Sequence, residues 1–214
     1  RTASLDQVCI NARNPTLRPG PDPLAGPPPM NHPEHILRTL DSHLLKPTRL
    51  ILYGRAALAL GFPDAQPEFH ATMDVDAILP EVEMQSIEAD ESFWNAIEQT
   101  NEQLQATGLY LTHLFTESQV ILQPKWLEFL SSIELPGLRF LQLFRPSVGD
   151  LILTKMMRVD PQDRSDIHFL VTHLNPRAED IERLISAARV PNIPEIQQAF
   201  SENSKWLHRL LASA

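Results

Sequence analysis

The chemistry open to this chain is concentrated in Thr72-Met-Asp74-Val-Asp76, where one apolar residue separates two aspartates. On a strand successive side chains alternate sides, so Asp74 and Asp76 share a face, about 6.6 Å apart along the backbone, while Val75 points into the core. Two carboxylates held that close repel each other, and without a cation one of them is pushed toward protonation. Hard oxygen ligands at this spacing suit Mg2+, which sits on one or two carboxylates together with substrate phosphates. A solvated strand end has the same pattern, and a lone Asp-x-Asp does not separate the two readings. Upstream, Leu50-Ile-Leu-Tyr53 runs into Gly54 and then into Arg55-Ala-Ala-Leu-Ala-Leu60. A glycine at a strand-to-helix junction lets backbone amides approach an anion, and the helix N-terminus adds partial positive charge. Taken alone, Gly54 reads more simply as a plain turn glycine.

Positioning these residues takes an alternating set of elements. An amphipathic helix is expected over about 33–45, with Ile36, Leu37, Leu40 and Leu44 at helical spacing. The apolar run 50–53 fits a buried strand, and 55–60 a helix that Gly61 stops. A polar loop with Pro63 and Pro67 leads to residues 74–79, which alternate as a strand does. A polar-faced helix over 92–107 and a strand over 109–115 follow, with 119–122 extending that strand or pairing with it. Two strand-like pieces at 132–135 and 138–144 close this part. Beyond Pro146 four helices are expected, over 148–158, 161–174, 178–190 and 193–211. Strands interleaved with helices and then a run of helices predict an α/β (α+β) core with a helical C-terminal part. Residues 1–29 hold seven of the 19 prolines and read as a disordered or non-native leader, with Met30 as the start.

Composition removes several classes of function. The 214 residues are 43% hydrophobic and 21% charged, which is globular usage. No run approaches the roughly 20 apolar residues of a membrane span, and no secretory signal is visible. The single cysteine, Cys9, has no internal partner, so a reducing, cytoplasmic location is expected. A net charge of -9 without a basic stripe argues against gripping a long nucleic acid by its backbone. The eight histidines show no zinc-site spacing. There is neither a Gly-x-x-x-x-Gly-Lys phosphate loop nor a Gly-x-Ser-x-Gly elbow.

Four short motifs stand in order: Leu-Tyr-Gly54-Arg55-Ala-Ala-Leu, Thr72-Met-Asp74-Val-Asp76, Asp150-Leu-Ile-Leu-Thr-Lys155-Met-Met-Arg158 and Asp163-Arg164-Ser-Asp166-Ile. Over about 50–170 the chain resembles the bacterial nucleotidyltransferase-like families of the DNA polymerase beta type. These include toxin components of toxin–antitoxin and abortive-infection systems. The resemblance implies a mixed-sheet nucleotidyltransferase core over 30–145, with residues 146–214 completing the cleft. It further implies transfer of a nucleotidyl group from a nucleoside triphosphate to a hydroxyl on RNA or protein, with an antitoxin or toxin partner in prospect. By the same likeness, Asp74 and Asp76 hold Mg2+, and Gly54, Arg55 and Thr72 line the phosphate turn. Lys155 faces the nucleotide, and Asp166, with Asp163 in reserve, faces the cleft. Two departures bear on activity. Arg55 stands where the similar enzymes have Gly or Ser, and twenty positions separate Gly54 from Asp74, more than is usual. The third catalytic carboxylate belongs on the strand over 109–115, which has none; Glu117 just beyond it is the stand-in, and His113 lies within it. Without a replacement the fold serves a catalytically weak or inactive binding protein.

Overall fold

A computed structural model describes residues 31–212. The proline-rich leader, Met30 and Cys9 lie outside the described residues. Helix α1 (His32–His43) starts where the Asn31 side chain accepts from the Glu34 amide, with Pro33 in the first turn. Strand β1 (Thr48–Tyr53) runs directly into α2 (Gly54–Gly61). The polar loop that follows contains a one-turn helix, α3 (Pro67–His70), and leads to β2 (Asp74–Leu79). Next come α4 (Met84–Glu88), α5 (Glu91–Leu104) and β3 (Tyr110–Thr116), and then β4 (Ser131–Ile133) and β5 (Leu141–Arg145). Four helices finish the described chain: α6 (Val148–Lys155), α7 (Pro161–Leu174), α8 (Ala178–Ala187) and α9 (Pro194–Ala212). This is an α/β fold with a mixed sheet and a helical C-terminal part. Among the described residues no helix is long and apolar enough to cross a membrane.

The sheet order is β3-β2-β1-β5-β4. The β1–β2 and β4–β5 pairs are antiparallel, whereas β1–β5 and β2–β3 are parallel. Period-two alternation sorts the strand residues onto two faces. Leu50, Leu52, Val75, Ala77, Leu141 and Leu143 join the main core beneath the helices. Ile51 and Ile78 point the other way, into a second cluster with Val120, Leu122 and the buried Trp126. Asp74 and Asp76 keep step with Ile78, so they lie on this second face, the one less covered by helices. Asp41 of α1 fixes the chain where it enters β5 by accepting the amides of Arg139, Phe140 and Leu141 at 2.8–2.9 Å. Burial opposes its ionisation, yet those three amides hold its pKa below the ordinary 3.8.

Two local expectations need correction. Residues 119–122 neither extend β3 nor pair with it. Thr116 and Gln119 form a capping box that turns the chain, and Leu122 instead bridges to Arg189. The segment with Pro63 and Pro67, expected as a polar loop, is in part helical. Its Pro67 starts the short α3, and Phe69, buried, packs edge-on against Phe169 of α7.

Candidate active site

The antiparallel register sets Tyr53, the last residue of β1, opposite Asp76 of β2. The chain therefore leaves β1 beside the carboxylate pair, and Gly54 makes the turn with φ of +64°. A Cβ on Gly54 would lie 3.4 Å from Asp76 Oδ2, so the α2 N-terminus and this carboxylate are neighbours. The Tyr53 cap offers no side-chain hydrogen bond to the first-turn amides of α2, which leaves that end suited to an anion. Thr72 donates its hydroxyl to Asp74 Oδ1 at 2.7 Å and orients that carboxylate.

These residues open onto a cleft of about 380 Å³ lined by Tyr53, Gly54, Asp74, Asp76, Phe115, Thr154, Lys155, Met157, Arg158 and Asp163. One side is polar and charged. The other is built from Tyr53, Phe115 and Met157, which lean on the second apolar cluster. The Tyr53 and Phe115 rings meet edge to face at 6.0 Å. Burial, and then the charge of Asp76, keeps the Tyr53 phenol protonated far above its ordinary range.

The floor of the cleft is the α6–α7 turn. Asp160 caps α7 by accepting the amides of Gln162 and Asp163, and Pro161 fixes the first helical position. Asp163 and Asp166, one helical turn apart, thereby face back onto the last residue of α6. Lys155 Nζ donates to Asp163 Oδ1 at 2.9 Å and to Asp166 Oδ2 at 2.6 Å. Arg55 adds a fork onto Asp166, from Nε at 3.3 Å and Nη2 at 3.0 Å, and lies 5.5 Å from the Phe69 ring. Arg158 binds Asp163 through Nε and, at 3.4 Å, through Nη2. Burial resists ionisation of Asp163, but Arg158 and Lys155 outweigh it and hold its pKa below 3.8. From α9, the buried Asn203 donates to the carbonyls of Met156 and Arg158 and fixes the turn.

The structure brings most of the expected residues together. Asp74, Asp76, Gly54 and Lys155 line one cleft, with Thr72 behind Asp74. Asp166 is 0% exposed and does not line it; its carboxylate is spent on Arg55 and Lys155. Arg55 likewise turns away from the cleft toward Asp166. Glu117 lies at the other end of the sheet. Strands β2 and β3 are parallel with Leu79 opposite Thr116, which puts Glu117 about 10 Å or more along the strand from Asp76. There it accepts the Glu81 amide and pairs with Arg189. Opposite Asp76 the register shifts, and the two residues Thr112 and His113 face that single position as a bulge. Sequence reasoning missed Tyr53, Phe115, Thr154, Met157 and Arg158 as cleft residues. The available signal was Arg158 three positions after Lys155 and Tyr53 two after Ile51.

The carboxylate pair fits Mg2+: two hard oxygen donors, one oriented by Thr72, sit beside a helix N-terminus that would take phosphate. Among the described residues no group of three or more His, Cys, Asp or Glu could hold a metal, so a cation here would draw its carboxylates from this pair. A separate cavity of about 220 Å³ near β1 is lined by Lys46, Arg49, Glu83 and Asp90, which satisfy one another as ion pairs.

A mixed sheet with a glycine turn facing an Asp-x-Asp strand, backed by helices that supply a lysine and an arginine, is the arrangement that the resemblance read from the sequence implies. No curated protein and no solved structure matches the chain. The model of a nucleotidyltransferase family of unknown function (DUF6036) matches residues 34–188, and the chain belongs to that family.

Proposed function

We propose that the protein binds a nucleoside triphosphate with Mg2+ in this cleft and transfers its nucleotidyl group to a hydroxyl on RNA or protein. The observation that carries the reading is the closeness of Gly54 to Asp76, whose Oδ2 would lie 3.4 Å from a Cβ on the glycine, so that a helix N-terminus suited to an anion stands against a carboxylate pair. Asp74 and Asp76 would hold Mg2+, whose charge offsets the phosphates at the moment of displacement. Gly54 and the first amides of α2 receive phosphate oxygens, and Thr72 keeps Asp74 in place. The apolar side formed by Phe115 and Met157 accommodates the less polar part of the nucleotide. The acceptor oxygen joins the α-phosphorus, and pyrophosphate and the hydroxyl proton depart. Isothermal titration with each nucleoside triphosphate, with and without Mg2+, tests the site. Asp74→Asn and Asp76→Asn are each expected to abolish metal-dependent binding, and unchanged binding in both variants sinks the reading.

One observation favours a second reading, a catalytically weak or inactive binding protein that works with a protein partner such as an antitoxin or toxin. Glu117 stands far from Asp74 and Asp76, and the third carboxylate that lines the cleft, Asp163, is engaged by Lys155 and Arg158. Activation of the acceptor hydroxyl then lacks its usual base. Triphosphate binding without transfer of label to RNA or protein decides for this reading.

A further inference from the structure

We propose that Arg158, and not Lys155, is the side chain that contacts the triphosphate in the cleft, with Asp163 and Asn203 as its positioning residues. The inference rests on the triphosphate reading above. Three cations, Arg55, Lys155 and Arg158, meet Asp163 and Asp166 at the α6–α7 turn, with Asp160 and Glu68 close by, and what separates the three is which of them still faces the cleft. Lys155 does not present its charge there, because its ammonium lies between Asp163 and Asp166 and its side chain is 10% exposed. Arg55 does not either; it forks onto Asp166 at 17% exposure and lies against Phe69. The Arg158 side chain is 68% exposed and lines the cleft together with Asp74 and Asp76.

Its surroundings hold it in place. Asp163 engages Nε and Nη2, which is one edge of a guanidinium that has five N–H donors. The remaining donors suit phosphate oxygens, which a guanidinium can grip in pairs. Asn203 holds the Arg158 carbonyl at 2.9 Å, so the backbone under the side chain is fixed as well. Binding to Asp163, and then burial, act in opposite directions on Arg158, and the former keeps it charged. Asp76 is close enough to add to that effect. A triphosphate bound at the Gly54 turn would thus find the carboxylates on one side and Arg158 on the other. Lys155 becomes a strut that fixes Asp163, and Asp163 fixes Arg158.

The test is isothermal titration of the full 214-residue chain in Mg2+ with the four nucleoside triphosphates. The corresponding di- and monophosphates follow, for wild type, Arg158→Gln, Arg158→Lys and Asp74→Asn. Loss of a charge-assisted contact predicts about ten-fold or greater weakening of triphosphate binding in Arg158→Gln. The loss should shrink as phosphates are removed, and Arg158→Lys should restore only part, because an ammonium cannot fork. Wild-type affinity in Arg158→Gln alongside loss in Asp74→Asn overturns this assignment and leaves the site standing. Equal weakening for tri-, di- and monophosphate also overturns it, since a structural role has no phosphate dependence. No triphosphate binding by wild type overturns the assignment and the reading it rests on together.

Discussion

Replacing Asp166 by Asn asks whether that carboxylate serves the substrate or the scaffold. In the structure it is 0% exposed and accepts three charge-assisted bonds, two from Arg55 and one from Lys155 at 2.6 Å. Asparagine keeps the shape but removes the charge, and its amide turns donors toward a cation. Taking one partner from a buried ion pair costs about 3–5 kcal/mol, because the other charge is left uncompensated. Lys155 retains Asp163 at 2.9 Å, and Arg55 retains Glu68 at 3.8 Å with some solvent. The loss should therefore fall near the lower end, about 3 kcal/mol, a large share of the 5–15 kcal/mol by which domains are stable. Urea unfolding followed by circular dichroism measures it directly. Adding Arg55→Met to Asp166→Asn should recover part of the loss, since it removes the cation that the first change strands. A carboxylate reserved for the acceptor would tolerate asparagine with little change in stability. A loss below about 1 kcal/mol would therefore refute the buried-network account.

Gly54→Ala should cost about 1–2 kcal/mol in unfolding experiments, because φ of +64° is a left-handed conformation that a Cβ disfavours. It should also weaken triphosphate binding, since the new methyl abuts Asp76 Oδ2. Glu117→Gln should leave triphosphate affinity within about two-fold, given its separation from Asp76; a ten-fold loss would restore it to the site. Stability should fall in acid through Asp41 and Asp163. Both have folded-state pKa values below the ordinary 3.8, so their contribution is present above that value and is lost as pH falls through the folded values. Urea midpoints across pH 2–7 should show this decline, and Asp163→Asn should flatten part of it.

Much of the fold was legible because local signals agreed. The alternation of Asp74 to Leu79 marks β2 at its observed ends, and Asp160-Pro161 marks the start of α7. The carboxylate pair and the glycine turn were legible for the same reason: each is a local pattern with one geometric outcome. What failed was long-range. Glu117 was placed near the pair by its closeness in sequence to β3. The parallel β2–β3 register carries it to the far end instead. Nothing local says that Arg55 will turn from the phosphate loop toward Asp166, 111 positions away. That choice follows from α7 packing on α6 and, through Phe169, on Phe62 and Phe69, a tertiary event with no signature at Arg55 itself.

The two aspartate pairs show why residue type alone assigns no role. Asp74 and Asp76, two apart on a strand, are half-buried and face a cleft. Asp163 and Asp166, three apart on a helix, face a lysine and two arginines and are all but sealed from solvent. The first pair concentrates negative charge where a cation and phosphates would enter, at little cost because water still reaches it. The second neutralises its charge internally, which buried carboxylates must do to remain ionised. The two are nevertheless coupled. Asp163 lines the same cleft and holds Arg158, so the buried network sets where positive charge stands opposite the open pair. On this account the four aspartates form one device, in which the second pair positions the cation that the substrate of the first pair requires.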